Sequence, residues 1–245
     1  MRFTLGDYPG SFEAHSQALR VLRDLDHQFG QANALTELGR VQHMLGNYPM
    51  SVDFLNQALE IYRAHRNVFG EATVLGELGR VQRQTGDYPG AVEAHTRALQ
   101  IFRSLAHRPG EAGALTTLGR VYDLMERYAD AEDVLSRALQ IFRAVGERGN
   151  EAWALNYYAA ALAAGGRRAR AFELYQQALA TNRELDKADD EAISLEGIAD
   201  HYLAEADADQ AVEHLREALD IYRRIGMRAD AERVEARLTA LAGTP

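Results

Sequence analysis

Apolar residues recur along this chain at helical spacing, in two short runs separated by a polar turn, and the arrangement repeats after 40 residues. In EATVLGELGRVQRQTGDYPGAVEAHTRALQIFRSLAHRPG (71–110), Leu75, Leu78 and Val81 precede the turn, and Val92, Leu99, Phe102 and Leu105 follow it. Moved back 40 residues the stretch lies on QANALTELGRVQHMLGNYPMSVDFLNQALEIYRAHRNVFG. Moved forward 40 it lies on EAGALTTLGRVYDLMERYADAEDVLSRALQIFRAVGERGN. Neither step needs a gap. A fixed period in the range of roughly 20–50 residues marks a repeat array.

Two columns of the repeat hold small residues: Gly39, Gly79, Gly119, Ala159, Ala199 and Ala58, Ala98, Ala138, Ala178, Ala218. Small side chains at fixed places let two helix backbones approach closely. The turn between the runs reads Gly46-Asn47-Tyr48-Pro49 and then Gly86-Asp87-Tyr88-Pro89. Gly suits a left-handed helix end. Asn or Asp caps the next helix, and Pro is tolerated in its first turn. Each repeat is thus a helix–turn–helix whose apolar face is covered only by its neighbours.

The elements predicted are a helix near 9–26, helix pairs near 31–66, 71–106, 111–146, 151–186 and 191–226, and a solitary helix over 228–241. Charges on several faces of the last (Arg228, Asp230, Glu232, Arg233, Glu235, Arg237) suit a polar end-cap. The expected organisation is one array over 1–245. It comprises a partial repeat 1–30, full repeats 31–70, 71–110, 111–150, 151–190 and 191–227, and the capping helix 228–241. Met1 to Pro9 reads as the end of a helix plus its turn, with Leu5-Gly6 lying under Leu45-Gly46. The expectation is a piece cut from a longer protein; the alternative is a natural start with a degenerate helix. A missing partner would leave Phe12, Leu19 and Leu22 partly exposed, and predicts a homodimer through that end. Gly165-Gly166, followed by Arg167, Arg168 and Arg170, replaces the usual turn and reads as a hinge or as a plain helix end.

The Leu78-Gly79 pair, Tyr88 after the turn, Ala91 and Ala98 resemble the markers of the tetratricopeptide (TPR) family. The late proline of that family is absent; Arg63, Arg103 and Arg143 stand there. The unit is also longer than the usual ~34 residues. In this it resembles the long-repeat class of the LGN and kinesin-light-chain type, and more closely the C-terminal arrays of actinobacterial NB-ARC/SARP-type transcriptional regulators. The resemblance implies an all-α, right-handed TPR superhelix with a C-terminal capping helix. It also implies a concave groove lined by the first helix of each pair. Four columns would face it: Asn33, Thr73, Gly113, Trp153, Ile193; Thr36, Gly76, Thr116, Asn156, Glu196; Glu37, Glu77, Thr117, Tyr157, Gly197; and Arg40, Arg80, Arg120, Ala160, Asp200. Arg83 and His43 extend it by one turn. The columns lack the Lys and Asn of a chaperone-type carboxylate clamp.

The net charge of −9 argues against general nucleic-acid or membrane-surface binding. The absence of Cys removes disulfides, thiol catalysis and Cys-based zinc sites, and fits a reducing, cytoplasmic setting. No signal peptide and no bilayer-spanning apolar run is present. There is no Gly-rich phosphate loop, GxSxG elbow or HExxH. His15 and His95 share a column with Leu55, Leu135, Tyr175 and Leu215 and read as packed core residues, while His27 and His107 fall between repeats. No enzyme activity, cofactor or metal is expected.

What remains is recognition of a protein or peptide, on candidate residues Thr36, Arg40, Arg80, Arg83, Thr116, Arg120, Trp153, Asn156 and Tyr157. The Arg40–Arg80–Arg120 ladder has two readings. Guanidinium groups can clamp acidic residues of a ligand. Equally, Glu37–Arg40 and Glu77–Arg80 can pair at i, i+3; Arg120 has Thr117 in place of that acid. A second ladder, Arg23, Arg63, Arg103, Arg143, Arg183 and Arg223, reads as structural, serving helix ends and neighbouring acids. Trp153, Tyr157, Ala160 and Ala164 form one helical stripe, a ledge for an apolar anchor, with the Asn156 amide beside it and Arg120 one repeat away for a carboxylate. Two functions fit: a scaffold or sensor arm of a bacterial transcriptional regulator, or a sensor whose groove binds a signalling peptide or small molecule.

Overall fold

The computed structural model describes residues 8–242, which form twelve α-helices and no strand. The chain divides into two compact units, Met1–Val121 and Tyr122–Pro245. The first holds α1 (Tyr8–Asp24), α2 (Gln28–Met44), α3 (Tyr48–Ala64), α4 (Val68–Gln84), α5 (Tyr88–Ser104) and most of α6 (Arg108–Leu124). The second holds α7 (Tyr128–Val145), α8 (Arg148–Ala164), α9 (Arg168–Glu184), α10 (Ala188–Ala204), α11 (Ala208–Ile225) and α12 (Arg228–Ala242). From α1 to α5, and again from α7 to α12, each helix packs on the next. In addition α2 touches α4, and α8 touches α10. The residues expected to end a still earlier helix lie outside the described residues.

The first helix of each pair begins at 28, 68, 108, 148 and 188, earlier than the expected 31, 71, 111, 151 and 191. The cap explains the difference in the first three. His27 Nδ1 accepts the Gly30 N–H at 2.9 Å, Asn67 Oδ1 the Gly70 N–H at 3.0 Å, and His107 Nδ1 the Gly110 N–H at 2.9 Å. His27 and His107 are therefore helix caps rather than loop residues. The glycine is a packing requirement: a Cβ on Gly70 would lie 2.4 Å from the Tyr62 ring.

The turn within each pair is close to expectation. Gly46 and Gly86 adopt φ of 79° and 83°, and Asp87 Oδ1 accepts the Gly90 N–H at 3.0 Å. Asn47 departs from the pattern: its amide donates to Gln42 Oε1 at 2.8 Å and makes no cap bond. Gly166, at φ 83°, ends α8 as Gly46 ends α2, which is the geometry of a plain helix terminus. A second left-handed column was not read from the sequence. It runs Asp26, Arg66, Ala106, Gly146, Asp186, Gly226 between one pair and the next, and only two of the six are glycine.

Alternating small and large residues build the core. Ala58, Ala98, Ala138, Ala178 and Ala218 are all buried, as are Leu55, Leu135 and Leu215. His95 replaces leucine in that column at 1% exposure, and a Cβ on Gly79 would lie 2.7 Å from its ring. His15 is only half-buried. In α1, Leu19 is buried and Phe12 and Leu22 pack on the core, Phe12 6.4 Å from the Phe54 ring. Leu19 is therefore covered within the unit, while Phe12 and Leu22 stay partly exposed as expected.

Candidate partner-binding face

In the first unit, the candidate residues sort by depth. Thr36 and Thr116 are buried and donate to the carbonyls of Ala32 (2.8 Å) and Ala112 (2.9 Å), one helical turn back. They satisfy themselves inside their helices and offer nothing to a ligand. Sequence alone could not separate them from Thr73, which has the same type and lies one position away on the helix wheel.

Glu77 decides the state of the arginine ladder. It is 4% exposed, and both oxygens are taken. Arg40 Nε donates to Glu77 Oε1 at 2.8 Å, and Arg80 Nη1 lies 3.5 Å from Oε2. Arg40 Nη1 also donates to Glu37 Oε1 at 2.9 Å. Burial opposes the Arg40 charge, but Glu77 and Glu37 outweigh it and hold the guanidinium above its ordinary pKa. Of the two readings of this ladder, internal pairing is what Arg40 and Arg80 do: both i, i+3 pairs form, and Arg40 in addition joins α2 to α4 through Glu77. Arg83 and Arg120 are half-buried, each with contacts of its own.

Behind this face lies His95. Thr117 Oγ1 is 3.0 Å from the Ala114 carbonyl and 3.2 Å from His95 Nδ1. The ring's tautomer sets the direction of the bond between Nδ1 and this hydroxyl, and Nε2 is buried with no hydrogen-bond partner among the described residues. Burial, reinforced by Arg80 and Arg83, pushes this imidazole down to about 3. Burial also lowers His43, against the pull of Glu77 and with Arg83 and Arg80 adding to the shift.

In the second unit, Trp153 and Tyr157 are half-buried on α8, ring centroids 5.5 Å apart at 88°. This is an edge-to-face pair, with half-buried Ala160 next along the stripe. Asn156 points the other way and is buried. Its Nδ2 donates to the Asp190 carbonyl at 3.0 Å, and its Oδ1 lies 2.8 Å from Ser194 Oγ. Asn182 Nδ2 joins the same hydroxyl at 3.3 Å. The amide expected to meet a peptide backbone is thus spent tying α8 to α10. Asp190 sits beside this cluster. Its own burial, with Asp189 adjacent and Lys187 opposing, raises its carboxyl to about 6.

At the far end of this unit, Glu196 gathers the capping helix. Tyr222 Oη donates to Oε1 at 2.8 Å, Arg233 Nη1 to Oε2 at 2.5 Å and Nη2 to Oε1 at 2.9 Å, and Arg237 Nη1 to Oε2 at 3.1 Å. Arg237 also pairs with Asp200. Burial works against the Glu196 charge, but these partners hold its pKa below the ordinary value. Burial, reinforced by the same carboxylate, raises the Tyr222 hydroxyl above its ordinary value. Only Ala231 and Val234 of α12 are buried, so ion pairs carry much of its attachment. Glu196 and Asp200, read from the sequence as groove acids, are engaged by α12. Among the described residues no cluster of His, Asp and Glu could hold a metal ion, and no helix is long and apolar enough to cross a membrane.

Repeated helix pairs with small residues at the crossings are the geometry that a family comparison can decide. The model of tetratricopeptide repeats matches residues 1–64, 70–144 and 150–224. The chain belongs to the tetratricopeptide repeat family. No curated protein matches the sequence. Solved structures that share the TPR fold include BtubC (BKLC) from P. vanneervenii, at TM-score 0.73 and 16% identity, over 89% of this chain and 92% of that one. A Rap protein complexed with competence and sporulation factor matches at TM-score 0.73 and 14% identity, over 96% of this chain and 70% of that one. A putative kinesin light chain with nearly identical TPR-like repeats from Podosopora anserina matches at 0.63 and 20%, over 82% and 98%. At these identities the likeness is one of fold.

Proposed function

We propose that this TPR array is a non-catalytic module that binds a protein or peptide on the faces of its first helices. The observation that carries the proposal is the Trp153–Tyr157 pair. Two half-buried rings at right angles, followed by Ala160, make an apolar ledge with an open rim. Aromatic anchors of this kind dominate binding energy at interfaces. Interior packing alone does not require two aromatic rings there, because no corresponding position elsewhere is aromatic: Asn33, Thr73, Gly113 and Ile193 for Trp153, and Glu37, Glu77, Thr117 and Gly197 for Tyr157. In the first unit, Arg40, Arg80, Arg83 and Arg120 present guanidinium groups, and Glu37 and Glu77, which pair with Arg40 and Arg80, leave the face polar but not strongly cationic. Trp153→Ala is expected to weaken binding of the cellular partner by about 1–3 kcal/mol with the fold intact; unchanged affinity rules the ledge out.

A narrower reading places the array as the regulatory arm of a bacterial transcriptional regulator in the cytoplasm, on the sequence resemblance to NB-ARC/SARP-type proteins. The Rap structure solved with competence and sporulation factor favours the related reading, a sensor that takes a signalling factor. The neighbouring gene segment separates them: an NTPase and a DNA-binding domain on the same chain support the first.

A further inference from the structure

The first unit carries an apolar stripe on a surface other than the first-helix face. Leu25, Phe29, Val68, Phe69 and Leu105 are 70%, 46%, 43%, 48% and 39% exposed. All lie where a second helix hands over to the next first helix, the α1–α2, α3–α4 and α5–α6 turns. Ring contacts join the turns into one edge. Phe29 meets Tyr62 edge-on at 5.9 Å, and Phe69 meets Phe102 at 5.9 Å and His107 at 5.1 Å.

The fold does not demand this edge. In the second unit the positions of Val68 and Phe69 are filled by Arg148 and Gly149, then Ala188 and Asp189. There, Arg148 is spent on an ion pair with Glu184 at 2.5 Å. The α7–α8 turn keeps one exposed aliphatic, Val145 at 39%, but the Val68–Phe69 pair that opens α4 has no apolar counterpart at the start of α8 or α10. Contiguous exposed apolar surface of this kind marks an interaction site.

The rim says what covers it. At the second turn Arg63 and Arg97 share one acid, Glu71, and Arg66 has no ion pair among the described residues. At the third turn Arg103 and Arg108 share Glu111. Only the first turn adds acids, Asp24 and Asp26, beside Arg23. Cations thus exceed acids around Phe69 on a chain whose net charge is −9. A second copy docked by the same edge would set these arginines against their own duplicates.

We propose that the α1–α2, α3–α4 and α5–α6 turn edge is a second docking surface, which receives an acidic protein segment with apolar anchors. The apolar side chains fill the spaces between Phe29, Val68 and Phe69, and the flanking carboxylates meet Arg66 and the half-satisfied Arg103 and Arg108. Burial gives affinity, and the charges give orientation and selectivity.

The probe is a displayed library of random peptides of roughly 16 residues, selected on the wild-type chain and in parallel on the Phe29→Ser/Phe69→Ser variant. Peptides specific to the wild type are expected to carry Asp or Glu on either side of Leu, Phe or Trp. A synthetic winner is expected to bind about tenfold more weakly to the variant, and about tenfold more weakly when its acids become Gln. Arg66→Glu, a fully surface change, is expected to give a similar loss, and serves if the double variant unfolds. Trp153→Ala is expected to bind the winner like wild type, which separates this edge from the ledge on α8. The proposal is overturned by winners without an excess of acids, by equal affinity for wild type and Arg66→Glu, or by a wild-type dimer in sedimentation that Phe69→Ser dissociates, which would give the edge to a second copy.

Discussion

Arg103, at the end of α5, closes on Glu111, eight residues on in the first turn of α6, with Nε 3.0 Å from Oε1. The same reach recurs at Arg63–Glu71 (2.8 Å), Arg143–Glu151 (2.6 Å) and Arg183–Glu191 (2.9 Å). In each the acid is the more buried partner and sits where a helix N-terminus favours negative charge. Arg23 and Arg223 meet Gln31 and Ala231 at that spacing; Arg223 turns to Glu235 at 2.8 Å instead. Arginine here takes the place of the family's late proline, and a clamp across the turn replaces a rigid ring.

Arg103→Met should cost about 1 kcal/mol, between the value of an exposed pair and a buried one, because Arg108 still serves Glu111. A double-mutant cycle with Glu111→Gln measured by urea unfolding checks it. A coupling energy indistinguishable from zero would show the clamp to be decorative.

His95 makes the first unit acid-sensitive. Its folded pKa of about 3 lies below the ordinary 6.5. It therefore contributes stability that is present above pH 6.5 and lost as pH falls towards 3, at up to about 1.4 kcal/mol per pH unit. Leucine fills the same column at Leu55, Leu135 and Leu215. His95→Leu should unfold with a flatter pH dependence between pH 6 and 4. Parallel profiles for wild type and variant would refute the buried, neutral imidazole.

Asp190 acts in the opposite sense. Its folded pKa of about 6 lies above the ordinary 3.8. Its contribution is therefore fully present below pH 3.8 and lost as pH rises through 6. Asp190→Asn should raise stability at pH 7.5 and change little at pH 4, as read by chemical unfolding at the two pH values. A variant less stable at pH 7.5 would mean that the charge is needed at the start of α10.

Deleting α12 from Arg228 onward should loosen the end of the second unit. It removes both arginines from the largely buried Glu196 carboxylate and uncovers Leu215, Leu219 and Tyr222. Faster hydrogen exchange across α10 and α11, with aggregation on warming, is the expected outcome. A monomer with an unchanged melting curve would contradict it.

Much of this was legible in the period. The columns of Ala58 and Gly79 and the leucines around them place the helix pairs of each unit, to within a turn at their starts, because burial repeats with the sequence. Caps were harder: His27 and His107 looked like loop residues, since a histidine cap shows only when Gly30 and Gly110 are seen to close on them. Depth within a face was harder still. Thr36, Thr116 and Asn156 fall in a column read as facing the groove, and only their burial and hydrogen bonds reveal that they point inward. Pairing across a turn, as in Arg103–Glu111, or between neighbouring helices, as in Arg40–Glu77, leaves no mark at i, i+3 or i, i+4. Both acid columns were nevertheless present in the sequence.

The claim that this chain binds a partner on its first-helix face is tested most directly at Ala160, beside the Trp153–Tyr157 ledge. A photocrosslinking residue placed there in living cells is expected to trap one discrete partner, and the same trap in a Trp153→Ala background is expected to lose it. A chain that crosslinks to nothing at Ala160, or whose adduct is indifferent to Trp153→Ala, would contradict the account.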